Sequence, residues 1–188
     1  MLTTRSFQPV DIEVRSDGRT VHGICAPFDS PAEINERGGS FTELIRHGAF
    51  TRTISERPPE RIKLLAAHNA EIMPLGRATA LREDTAGLYG EFRVSKTVAG
   101  DEALALLLDG ALDAFSIGFS VPANGDRWNH RNGTRELTEV RLHEVSLVNF
   151  PAYSGALVAG VRSAFTDPAL DPFLLSEHLE RTLTLLRK

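Results

Sequence analysis

The chain has 188 residues, 41% hydrophobic and 24% charged, the proportions of a soluble globular protein with one core rather than a disordered or membrane-embedded one. Its 21 Lys and Arg against 25 Asp and Glu leave a formal charge of −4 with the signs interspersed, so no basic block tracks a phosphate backbone and nucleic acid is excluded as a partner. A single cysteine, Cys25, rules out an intrachain disulfide and a multi-cysteine zinc site, and no apolar run approaches the ~20 residues of a membrane span.

The opening MLTTRSFQPVDIEV lacks the apolar core of a secretory signal, so the protein is expected to stay where it is made. From Asp11 to Phe28 two strands flank a turn at Ser16-Asp17-Gly18, a hairpin in which Cys25 reads as a small buried hydrophobe. PAEINERGGS reads as a loop. Phe41, Leu44, Ile45, Phe50 and Ile54 then recur nearer a helical than a strand period, which predicts one or two short helices broken near Gly48. After Pro58 and Pro59, RIKLLAAH rises as a short buried strand ending at His68. PLGRATALRED and GLYGEFRVS follow as an antiparallel pair about an acidic turn at Glu83-Asp84.

GDEALALLLDG is a helix with Leu104, Leu107 and Leu108 on one face, Asp101 as N-cap and Gly110 as its stop. DAFSIGFSV and RELTEVRLHEVSLV are strands separated by the polar loop ANGDRWNHRNG, and LVAGVRS is a last strand. Strands dominate without regular βαβ alternation, so the expected class is mainly β (α+β), an antiparallel sheet or barrel with helices outside.

Three segments carry candidate chemistry. In Asp113–Val121, Phe115, Ile117, Phe119 and Val121 share a bulky face, while Ala114, Ser116, Gly118 and Ser120 form a face of small residues that lets another chain come close. Ser116 there suits a nucleophile, although small residues alone also fit a plain sheet face. His68, at a strand end, suits a general base. In Thr138–Val148 a regular strand puts Val140, Leu142, Glu144, Ser146 and Val148 on one face, which makes Glu144 a lone carboxylate among apolar neighbours. Such a group requires a partner, and orienting a catalytic histidine or pairing with a structural arginine would each supply one. The six histidines form no His-Glu-x-x-His pair, so neither a metal nor another cofactor is expected. Ala114-Phe-Ser-Ile-Gly118 loosely matches the nucleophile elbow of α/β-hydrolases, but the order of His, Ser and acid is wrong for that fold.

Taken together, GSFTELIRHGAF, IKLLAAHNAEIMPLGRA, EDTAGLYGEFRV, LLLDGAL, SIGF and LHEVSLVNFPAYSGALVAGVR resemble the caudoviral (tailed-phage) prohead protease family in wording and order, across most of residues 20–162. The resemblance implies a serine endopeptidase whose fold is related to herpesvirus assemblin, an antiparallel β-barrel surrounded by helices. It further implies action in the host cytoplasm, inside the procapsid, on the major capsid protein or the scaffold protein, with self-cleavage and a homo-oligomeric state. Carried over by motif, His68 is the base and Ser116 the nucleophile. Assemblin uses a second histidine as its third member, so His143 and Glu144 both stay open, the strand face favouring Glu144. The loop Asn149–Tyr153 is a source of oxyanion-binding amides. A non-catalytic capsid or scaffold-associated protein on the same barrel is the alternative from another class.

The protease domain is read as residues 1–165, followed by a linker and amphipathic helix over 166–188. There Asp171 and Pro172 start a helix, and Leu175, Leu179, Leu183 and Leu186 form a stripe that is expected to mediate association.

Overall fold

The computed structural model describes residues 3–6, 10–36 and 39–149. The expected strand LVAGVRS, most of the Asn149–Tyr153 loop and the tail helix lie outside the described residues. The first hairpin forms as read: β2 (Val10–Val14) pairs antiparallel with β3 (Thr20–Pro27). Asp17 closes the turn between them, its carboxylate accepting from the backbone N–H of Arg19 (2.9 Å) and Thr20 (2.8 Å) and from Thr20 Oγ1 (2.8 Å). The expected pair β7 (Gly76–Glu83) and β8 (Gly87–Val94) is also present, and β8 continues the ladder onto β3.

The larger sheet is completed by β1 (Thr3–Ser6), β6 (Lys63–Ala66), β9 (Ala114–Ser120) and β12 (Arg141–Val148), in the order β1-β9-β12-β6-β7-β8-β3-β2. It is mixed rather than purely antiparallel, which corrects the expected barrel: β12 pairs antiparallel with β9 on one side but runs parallel to β6 on the other. The reason is topological. β6 and β9 run in opposite directions, so a strand lying between them can be antiparallel to only one. The sheet curls into a half-barrel, with β3 packing against β9 across the concave side. Phe92, Phe115, Ile117, Phe119 and Leu142 fill that side, fully buried, with the Phe92 and Phe115 ring centroids 5.4 Å apart. Cys25 is buried there too, and burial pushes its thiol well above the ordinary range, so it behaves as a hydrophobe.

A second sheet departs from the sequence reading. Residues expected to be loop and helix instead form β4 (Ala32–Glu36) and β5 (Gly39–Ile45), a hairpin extended by β11 (Thr134–Leu137), which runs parallel to β5, and by β10 (Asp126–Asn129). In β5 the buried row includes Glu43, only 3% exposed, and a carboxylate at an inward position hides the period of two. Arg5 and Arg135 neutralise it, with Nε–Oε1 at 2.6 Å and Nη1–Oε2 at 3.1 Å. β10 was concealed in the polar loop, and its Trp128 packs against Phe41 with ring centroids 4.9 Å apart.

Two α-helices flank the sheets among the described residues. α1 (Thr51–Glu56) has no cap of its own, and Glu83 supplies one by accepting from Gly48 N (3.1 Å), Phe50 N (2.9 Å) and Thr51 Oγ1 (2.8 Å). α2 (Val98–Asp109) ends at Gly110, left-handed at φ 76°, as expected. Its N-cap, however, is Thr97, whose side chain accepts from Gly100 N, whereas Asp101 lies inside the first turn and pairs with Arg19. Leu104 and Leu107 are buried, while Leu108 is exposed and does not belong to that face.

Candidate active site

The alternation read from β9 holds: Phe115, Ile117 and Phe119 point into the core, so Ser116, Gly118 and Ser120 face the other way. Across the ladder, Ser116 stands opposite Ser146 and Gly118 opposite Glu144. On the next strand, Lys63 stands opposite Glu144 and Leu65 opposite Ser146.

The face assigned to Glu144 needs correction. The register of β12 shifts between Leu142 and Glu144, Leu142 pairing with Phe119 and Glu144 with the very next residue of β9, Gly118, so His143 is the extra residue of a β-bulge. Leu142 therefore lies in the core and Glu144 on the opposite face with Ser146. A regular strand would have put all three on one face. The bulge also brings His143 toward the Ser116 face, where its Nε2 shares a hydrogen bond with Ser120 Oγ at 2.9 Å. Burial, then Arg57 and Arg141, lowers the His143 pKa, so this imidazole is neutral near pH 7.

His68 reaches the same face from a strained turn. β6 ends at Ala66, and Ala67 (φ 48°) and His68 (φ 59°) are both left-handed, with Asn69 N donating to Ala66 O at 2.9 Å to close the turn. Each such non-glycine residue costs about 1–2 kcal/mol. Two contacts with β12 oppose that cost: Ala67 N donates to Leu147 O at 2.9 Å, and His68 N donates to Ser146 Oγ at 3.0 Å. A strained backbone at a polar cluster is a pattern associated with functional sites.

These elements bring three of the predicted residues together. His68 Nδ1 lies 2.7 Å from Glu144 Oε1, and His68 Nε2 lies 2.5 Å from Ser116 Oγ. A carboxylate only accepts, so Nδ1 carries the proton, and Nε2 is left to accept from the Ser116 hydroxyl. Glu144 is 8% exposed and its second oxygen accepts from Ser146 Oγ at 2.7 Å, so the buried charge has two donors. The partner expected for Glu144 is thus the histidine, not an arginine. His143 makes no hydrogen bond to His68 among the described contacts.

Sequence reading missed two members of this arrangement. Ser146, fully buried, joins the backbone of the His68 turn to the Glu144 carboxylate, and its position two residues after Glu144 on the same face was the available signal. Gly118 is the other. A Cβ there would sit 2.2 Å from Glu144 Oε1, so only glycine leaves room for the carboxylate beneath His68. Beside the cluster a cavity of about 780 Å³ opens, lined by Lys63, Leu65, Ile72, Ser120, His143 and Glu144 among others.

A strand-borne serine, an imidazole and a buried carboxylate in hydrogen-bonded series, on a curled mixed β-sheet, are the arrangement of a serine hydrolase. Comparison with known proteins places it more narrowly: residues 8–168 match the family model of the caudovirus prohead serine proteases, and the chain belongs to that family. Among solved structures, the capsid assembly protease gp21 of bacteriophage T4 shares the fold, with a TM-score of 0.56 at 16% identity over 80% of this chain and 98% of that one. No curated protein sequence matches the chain.

Gly118→Ala is expected to displace the Glu144 carboxylate, lower peptidase turnover by about 10²-fold and cost about 1–3 kcal/mol of stability. A turnover assay with thermal melting checks both, and an alanine variant with wild-type turnover would show that the carboxylate has room elsewhere.

Proposed function

We propose that this chain is the serine endopeptidase that digests the scaffold protein, or the scaffolding segment of the major capsid protein, inside the phage procapsid in the host cytoplasm, and that it also cuts itself. The kinship with herpesvirus assemblin and a homo-oligomeric state belong to the same reading. The observation that carries it is the continuous hydrogen-bonded series from Ser116 Oγ through His68 to Glu144.

In this reading His68 Nε2 takes the Ser116 proton as Oγ attacks a peptide carbonyl, and returns it to the leaving amine. Water, activated by the same imidazole, then hydrolyses the acyl-enzyme. Glu144 holds the Nδ1–H tautomer and offsets the charge of the imidazolium. Ser146 positions both partners, since one hydroxyl serves the His68 backbone and the Glu144 carboxylate.

The test is a serine-directed fluorophosphonate followed by peptide mapping, alongside co-expression with the capsid protein and mass spectrometry of its cut ends. Label on Ser116 and a new capsid-protein terminus are expected. Label distributed over several serines, or none, with the capsid protein intact, would favour a non-catalytic capsid-associated protein.

A further inference from the structure

The nucleophile strand β9 has two edges. Its inner edge pairs with β12, and its outer edge is covered by β1, which is the last strand on that side among the described residues. The register is Thr3 opposite Phe119, Thr4 opposite Gly118, Arg5 opposite Ile117 and Ser6 opposite Ser116. β1 thus runs toward the nucleophile and makes its last ladder pairing with it. Ser116 itself is fully buried, and β1 lies along the strand edge beside it. A peptide to be cut must bring a carbonyl to about 3–3.5 Å from Oγ, and pairing as an added strand is a way to do so that depends little on side chains.

Resting on the proteolytic reading above, we propose that the outer edge of β9 is the docking slot for an extended peptide substrate, and that β1 occupies it as an internal stand-in that substrate must displace. The hold on β1 is local. Among the described contacts it includes a four-residue strand and the Arg5 side chain, whose Nε and Nη2 bond the Glu43 carboxylate at 2.6 Å and 3.4 Å. Edge elements this short open at low free energy relative to the core. Arg5 stands opposite the core residue Ile117, so this latch lies on the sheet face away from Ser116. Glu43 keeps Arg135 when Arg5 is lost, so the second sheet retains its charge pairing. Latch and chemistry are therefore separable by mutation.

Arg5→Glu sets two carboxylates against each other and should free the slot, whereas Arg5→Lys keeps the charge. The rate of Ser116 modification by a fluorophosphonate should rise roughly tenfold in Arg5→Glu, as expected when a competent state goes from minor to dominant, and stay near wild type in Arg5→Lys. A synthetic peptide of residues 2–8, LTTRSFQ, should slow the Arg5→Glu variant again. In the wild-type protein, a peptide boronate bound at Ser116 should raise amide hydrogen exchange at Thr3–Ser6, a readout independent of whether the variants fold. Equal labelling rates in folded variants, or unchanged exchange at Thr3–Ser6, overturn the slot alone. No label on Ser116 in any form overturns the proteolytic reading and the slot with it.

Discussion

Ser116→Ala and His68→Ala should each lose on the order of 10⁴–10⁶ in kcat, because members of a hydrogen-bonded catalytic series act as a unit and removing one removes the function of the rest. The two variants should differ in stability. Ser116→Ala deletes one hydroxyl from a small, fully buried side chain and leaves Glu144 with both donors, so its melting temperature should stay close to wild type. His68→Ala takes one donor from a carboxylate that is 8% exposed, which leaves that oxygen unsatisfied and should cost about 1–3 kcal/mol. Capsid-protein processing and thermal melting, measured on the same preparations, check both statements. Wild-type cleavage by either variant would remove these residues from the mechanism.

The second large effect separates two adjacent side chains. Glu144→Gln keeps the shape of the side chain but can turn an amide N–H toward His68 Nδ1, which drives the imidazole into the tautomer whose Nε2–H points at Ser116 and cannot accept its proton. Turnover should fall on the order of 10³–10⁴-fold. His143→Gln should lower it less than about tenfold, since His143 bonds Ser120 rather than His68 and a glutamine can keep that bond. Steady-state rates on one peptide substrate decide the matter. A histidine variant more damaging than the glutamine variant would assign the third role to His143.

Two of the strands that position the site, β9 and β6, were legible because their periods were simple, although β6 stops at Ala66 rather than His68. RELTEVRLHEVSLV, read as one strand, forms β11 and β12 in different sheets. β9 alternates bulky and small residues without interruption, and the His68 strand is bounded by prolines before and a polar loop after. The second sheet was not legible for an equally physical reason. Glu43 occupies an inward position that periodicity expects to be apolar, and the arginines that make this tolerable come from residues 38 and 92 positions away in sequence. The mixed character of the main sheet was hidden likewise, since nothing in the β6 or β12 sequences states that the two run side by side. Glu144 was singled out through a face assignment that was half wrong. Its grouping with Ser146 holds and its grouping with Leu142 does not, because a bulge resets the alternation and leaves no mark in composition.

That bulge bears on how β12 could change in length. His143 is the surplus residue between two halves that are each in phase with β9, Leu142 opposite Phe119 and Glu144 opposite Gly118. Losing one residue at this point would leave both halves on their present faces, whereas losing one anywhere else in the strand would turn every residue on one side of the gap through to the wrong face. Within β12, position 143 is thus where a deletion is phase-neutral, so the strand can shorten by one residue beside Glu144 without unseating either the core or the carboxylate.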